Sequence, residues 1–201
     1  MPKAIVVGAG IAGIASSIRL ANQGYEVEVY EANTYLGGKL TEKRLGAYRF
    51  DAGPSLFTMP DLVDELFRLS DLDAKAHFEY SSLEEICRYF YEDGTRLTAF
   101  SDKKKLLKEL EEKVNADPAK VEQYLDKSAY IHKHTGELFL EKSLHKISSY
   151  LNWSTFVSIL NLPFLNIFTN MDKVNKRALG NEKLRQLFNR YATYNGSNPY
   201  K

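Results

Sequence analysis

Three glycines in "GAGIAG" stand at Gly8, Gly10 and Gly13, the spacing G-x-G-x-x-G. That spacing suits the holding of a pyrophosphate. The first glycine permits a tight turn out of a strand, the second lets the backbone approach the phosphates, and the third lets the next helix pack closely. Gly8, Ala9, Gly10, Ile11, Ala12 and Gly13 are therefore a candidate cradle, with free N–H groups and the positive end of a helix dipole facing the anion. Glu31 follows Gly8 by twenty-three residues, where a carboxylate would accept from ribose hydroxyls. Glycines also occur in ordinary turns, and an acid also ends many surface strands, so the flanking elements must decide.

Those elements are in register. Ala4 to Val7 is short, apolar and rich in β-branched residues, as a buried parallel strand requires. Ile11 to Gln23 carries Ile14, Ile18 and Ala21 at helical spacing, and Gly24 is placed to stop the helix. "YEVEVYEA", from Tyr25 to Ala32, alternates as a second strand. Strand, glycine turn, helix and strand make a βαβ unit. Such a unit takes a nicotinamide or a flavin dinucleotide equally well.

Further along, Tyr48 to Phe50 reads as a short strand within a loop, and Pro60 to Leu69 as a helix with Leu62, Val63, Leu66 and Phe67 on one side. "RYFYEDGTRLTAF" reads as a hairpin, with Asp93-Gly94 supplying positive φ at a tight turn. From Asp102 the pattern becomes helical. Leu106, Leu107, Leu110 and Val114 share one face, and Asp117-Pro118 caps a following helix through Val121, Tyr124, Leu125 and Ile131. "NEKLRQLFNRYATY" repeats that pattern with Leu184, Leu187, Phe188 and Tyr191 inside. Only two parallel strands are evident, and a two-stranded ribbon has open edges and a thin core. The chain is therefore expected to be the front part of something longer.

The glycine pair after Glu31 and the segment beyond it narrow the choice of dinucleotide. "EANTYLGGKL" places Gly37, Gly38 and Lys39 six residues past the acid, and "YRFDAGPS" follows. In these stretches the sequence resembles the phytoene desaturase family of flavoproteins, carotenoid and retinoid oxidoreductases related to amine oxidases. About the first 60 residues carry most of that likeness. Gly37-Gly38-Lys39 resembles the family's second flavin-binding element, in which arginine is usual in place of Lys39. Lysine keeps the charge and loses the planar fork. Phe50 to Ser55 resembles the segment entering the flavin region.

The resemblance implies FAD as cofactor, held by the glycine turn, Glu31, Ala32, Gly37, Gly38, Lys39, Gly53, Pro54 and Ser55. It implies removal of hydrogens from adjacent carbons of a long polyene, hydride going to the flavin and quinone or oxygen reoxidising it. It assigns no catalytic residue here. The implied fold is α/β: a Rossmann-like βαβ dinucleotide-binding unit over residues 1–70, then a mainly helical substrate domain with a β-hairpin over 71–201, the whole an incomplete fold that lacks C-terminal chain. Carotene isomerases, retinol saturases and amine oxidases share these motifs. A non-catalytic truncated piece that needs a partner chain is the rival from outside the enzymes.

Composition excludes other classes. The 201 residues carry 27 basic and 26 acidic side chains, a net charge of +1 that offers no field for nucleic acid. Cys87 is the one cysteine, so no internal disulfide forms, and a buried thiol on a strand is the plain reading. His132 and His134 point to different sides of a helix, and with His77 and His145 they form no converging metal set. No secretory signal and no membrane-spanning run is evident, which predicts a cytoplasmic protein. "SYLNWSTFVSILNLPFLNIF", residues 149–168, reads first as core helices broken at Pro163. Its aromatics, with Lys173, Lys176 and Arg177 beyond, would also suit peripheral contact with the inner face of a membrane or the wall of a polyene tunnel.

Overall fold

The computed structural model describes residues 1–54, 57–136, 166 and 169–201. Ser55, His145 and all of the aromatic stretch 149–168 except Asn166 lie outside the described residues. The chain divides into two compact units, Met1–Ser81 and Ser82–Lys201.

The first unit begins with β1 (Lys3–Val7), α1 (Ile11–Asn22) and β2 (Glu26–Tyr30). β1 and β2 pair in parallel with Val6 opposite Val29 and Val7 opposite Tyr30, as the sequence predicts. Helix α1 packs on one face of this ribbon. On the other face Ile5 and Val7 remain 67% and 84% exposed. A second hairpin follows, β3 (Glu42–Leu45) against β4 (Tyr48–Asp51), antiparallel around Gly46 at φ +61°. The sequence predicts a strand at Tyr48–Phe50, but its partner reads as loop. All eight hairpin residues are exposed, so β3 has no apolar alternation to betray it.

Helix α2 (Pro60–Leu69) runs where the sequence places it, and the single turn α3 (Ala74–His77) packs back on it. His77 stacks flat on Phe67 with ring centroids 5.7 Å apart, and the Tyr80 hydroxyl donates to Asp64 at 2.8 Å. These contacts carry the first unit on to Ser81, past the boundary at residue 70 drawn from the sequence.

The second unit holds the packed core. Strands β5 (Glu85–Phe90) and β6 (Arg96–Phe100) form the expected hairpin, with Gly94 at φ +82°. Tyr91 N–H donates to the Thr95 carbonyl at 3.0 Å and Gly94 N–H to the Tyr91 carbonyl at 3.0 Å, so the turn holds three residues, Glu92, Asp93 and Gly94. Helices α4 (Lys103–Val114) and α5 (Pro118–Gly136) follow, the second capped at Asp117 as the sequence implies and the first by Asp102. Asp102 accepts from Lys105 N–H at 2.8 Å and Asp117 from Ala119 N–H at 3.0 Å.

Two more helices close the unit: α6 (Met171–Leu179), which the sequence reading lacks, and α7 (Glu182–Asn189), followed by a 3₁₀ turn over Arg190–Asn195. Leu97, Leu110, Val121, Leu184, Leu187 and Phe188 form a buried cluster. Inside this unit Tyr124 donates to Asn175, Asn175 to Asn189 and Asn189 to Asp172, at 2.8, 2.8 and 2.7 Å. The hairpin turn is tied to α7 through Asp93. Contact with Lys183 and the Thr95 N–H draws its carboxyl down to about 2.

Leu110 is fully buried at the centre of this cluster. Leu110→Ala is expected to cost about 3 kcal/mol, from lost burial and the cavity left behind. Urea unfolding followed by circular dichroism measures it.

Candidate dinucleotide site

The geometry of the glycine turn follows from how β1 ends. Gly8 N–H donates to the Tyr30 carbonyl at 2.7 Å, the last bond of the parallel ladder, and the chain then leaves the sheet with Gly8 at φ +95°. A left-handed turn there favours glycine. A side chain at Gly13 would meet the Gly8 carbonyl oxygen at 1.9 Å, so the third glycine sets how closely α1 approaches the strand.

Gly10 differs. It is the N-cap of α1 in extended conformation, and a Cβ built on it meets only the Gly38 Cα, at an ordinary 3.8 Å. Neither backbone conformation nor protein packing requires a glycine at that position. Beyond it α1 opens with no side-chain cap and no acidic residue in its first turn, which leaves its leading N–H groups and the dipole facing outward.

The second glycine element closes on the first. Gly37 N–H donates to the Ala9 carbonyl at 2.8 Å, and Gly10 and Gly37 form a parallel bridge. Gly38, at φ +61°, brings its backbone so near that a Cβ would lie 3.1 Å from the Gly10 Cα. Gly53 lies against the same segment, where a Cβ would meet the Lys39 carbonyl oxygen at 2.2 Å. The Lys39 side chain itself is exposed.

Glu31 lies just past the end of β2, and its carboxylate reaches back to the turn. Oε2 accepts from Ala9 N–H at 2.7 Å, while Oε1 accepts from the Asn33 N–H at 2.9 Å and the Asn33 side-chain amide at 2.7 Å. These donors hold the carboxyl below the ordinary glutamate value, the Asn33 N–H contributing most and the Ala9 N–H next. Ala9 is consequently occupied on both sides, its N–H by Glu31 and its carbonyl by Gly37. Its amide holds the turn together, whereas α1 opens with no side-chain cap.

Gly8 to Gly13, Glu31, Gly37, Gly38 and Gly53 are thus gathered in one place. Ile11, Ala12 and Ala32 are exposed around it. Pro54 lines a depression of about 400 Å³ with Tyr35, Leu36, Leu40, Arg49 and Gly53. Asn33 is absent from the sequence-based set.

Comparison with known proteins agrees with this geometry. The profile of the NAD(P)-binding Rossmann-like domain matches residues 6–71. The chain is 48% identical over 200 residues to a 1-hydroxycarotenoid 3,4-desaturase of Flavobacterium sp. (strain P99-3), covering all of this chain and 41% of the relative. It is 29% identical over 198 residues to a 4,4'-diaponeurosporene oxygenase of Staphylococcus haemolyticus (98% of this chain, 39% of the relative). Against a 4,4'-diapophytoene desaturase of Staphylococcus aureus it is 28% identical over 200 residues, again with 98% and 39% covered. The chain therefore spans about two-fifths of the length of these curated relatives. It is similar along its whole length to the N-terminal portion of carotenoid desaturase-family proteins.

Two outcomes are expected. Gly10→Ala should fold, at a cost of about 1 kcal/mol for the altered N-cap, yet lower dinucleotide affinity by roughly tenfold or more. Thermal melting and titration calorimetry on the same sample separate the two effects. Glu31 carries a lowered carboxyl, so its stabilising contribution is present above the ordinary value of 4.5 and is lost as pH falls through the depressed folded value. A pH series of melting temperatures should therefore converge for the native protein and Glu31→Gln only below pH 4.5.

Proposed function

We propose that this chain binds FAD and supplies the N-terminal, cofactor-binding part of an oxidoreductase that desaturates a carotenoid-type polyene. The observation that carries the reading is the docking of Gly37 and Gly38 on the pyrophosphate turn. A nicotinamide-binding βαβ unit needs no second glycine element, whereas the flavoproteins that this sequence resembles possess one. The names of the relatives support the substrate class, each being a desaturase or oxygenase of a carotenoid or diapocarotenoid.

In this reading the leading N–H groups of α1 hold the pyrophosphate, and Gly10 leaves room for it. Glu31 accepts from the adenosine ribose. Lys39 supplies positive charge near the second glycine element, as an ammonium point charge in place of a guanidinium fork. Bound flavin would supply the electron chemistry, accepting hydride from the polyene. The protein's part is to bind and orient.

Support for further chain completing the site comes from exposure. In the first unit Ala9 is the one buried apolar residue among the described residues, and the outer face of the β1–β2 ribbon is bare. A two-stranded ribbon rarely stands alone in water. Additional chain would cover it. Cytoplasmic location, with peripheral membrane contact for collecting a water-insoluble substrate, belongs to the same proposal. Among the described residues no helix is long and apolar enough to cross a membrane.

The test is spectroscopic and then chemical. The purified chain, given FAD and freed of excess, is expected to stay yellow. Joined to the remaining chain and incubated with a panel of polyenes and a quinone, it should lengthen the conjugation of one of them, seen as absorbance moving to longer wavelength. A chain that stays colourless with FAD but binds NADH would overturn the flavin assignment. Bound flavin that isomerises or saturates the polyene, or that oxidises an amine, would overturn the desaturase assignment alone.

A further inference from the structure

Glu31 is the residue from which a ribose contact is expected, yet a carboxylate on a loop has two oxygens and a rotatable plane. Which oxygen is offered, and in what direction, depends on what holds the other one. Here one residue holds it. Asn33 donates twice to Oε1, from its backbone N–H at 2.9 Å and its side-chain Nδ2 at 2.7 Å. Two donors fill the two lone pairs of that oxygen. Oε2 receives a single donor, the Ala9 N–H at 2.7 Å, and keeps one acceptor position.

The asymmetry has a consequence for recognition. From this two-point grip on Oε1, together with the single donor on Oε2, we infer that Asn33 is a positioning residue that turns the Glu31 carboxylate so that Oε2 alone faces a ribose hydroxyl beside the glycine turn. The inference rests on the reading of this turn as the dinucleotide site and deepens it. Asn33 need not touch the nucleotide. It acts through Glu31, as a neighbouring group does when it fixes the orientation of a ligating side chain. Asn33 is exposed, and no packing role competes with this one.

Removal of the side-chain amide leaves one backbone donor on each oxygen, the Ala9 N–H on Oε2 and the Asn33 N–H on Oε1, but opens an acceptor position on Oε1 and loosens the carboxylate plane. The ribose hydroxyl then meets an acceptor that is present but disordered in direction. Binding of the phosphates, which belongs to α1 and its leading amides, stays as it was.

ADP and 2′,3′-dideoxy-ADP are suitable probes, since they share phosphates and adenine and differ only in the two ribose hydroxyls. Titration calorimetry on the purified chain is expected to show ADP binding about tenfold tighter than the dideoxy form, the weight of a hydrogen bond to a charged acceptor. In Asn33→Ala that preference should shrink to about twofold while dideoxy-ADP affinity is unchanged. Asn33→Asp, which sets a second carboxylate against Glu31, should lose the preference too. An Asn33→Ala protein that keeps the native ratio, whether or not both affinities fall together, overturns the inference and leaves the nucleotide site standing. A native chain that binds neither probe, or both equally, overturns the ribose role of Glu31 along with it. That failure shows before any variant is made.

Discussion

The backbone of Ala9 is the constraint around which the first unit is arranged. Its N–H is taken by the carboxylate at the end of β2, and its carbonyl by the amide of Gly37. The turn and the stretch from Glu31 to Gly37 are thereby joined at the two backbone polar groups of one residue. The residue itself is only 2% exposed, so loss of either bond would leave a buried polar group without a partner. Everything argued for the site, from the open first turn of α1 to the approach of Gly38 on Gly10, follows from that junction being closed.

The two units differ in what stabilises them. Ser82–Lys201 has a cluster of fully buried leucines and valine, with helix caps and a chain of side-chain amides inside it. Met1–Ser81 relies on backbone bonds, glycine contacts and surface ion pairs such as Arg19 with Glu65. Exposed ion pairs contribute little individually, and backbone bonds merely replace those made to water. The first unit is thus specified in detail and weakly stabilised, a pairing that suits a segment shaped around a ligand.

Much of this was legible in the sequence, and the failures have physical causes. The βαβ unit could be read because its signals are local: β-branched strands, three glycines at a fixed spacing, and an acid at the strand end. The core faces of α4, α5 and α7 could be read from helical spacing, through Leu110, Val114, Val121, Leu184, Leu187 and Phe188. Tyr191 did not follow, and is 43% exposed. The α-helix stops at Asn189 and continues as a tighter 3₁₀ turn, which rotates later residues off the buried face. Strand β3 was hidden because Glu42, Arg44 and Arg49 bind one another across an exposed hairpin, and charge carries no strand periodicity. Helix α6 was signalled only by its ends, the Asn170 cap and Gly180 at φ +61°, around a polar stretch. Asn33 needed coordinates, since one asparagine near an acid has no spacing rule that singles it out.

The bareness of the β1–β2 ribbon has a thermodynamic meaning beyond the shape of the site. Where packing supplies little, a bound dinucleotide acts on the folding equilibrium by mass action, adding about 2.7 kcal/mol when its concentration is a hundred times the dissociation constant. For a domain with a large core that increment is a refinement. For a segment whose one buried apolar side chain among the described residues is an alanine, the same increment weighs more. With the proposed cofactor bound, the persistence of the first unit would depend on the supply of that cofactor as well as on the sequence.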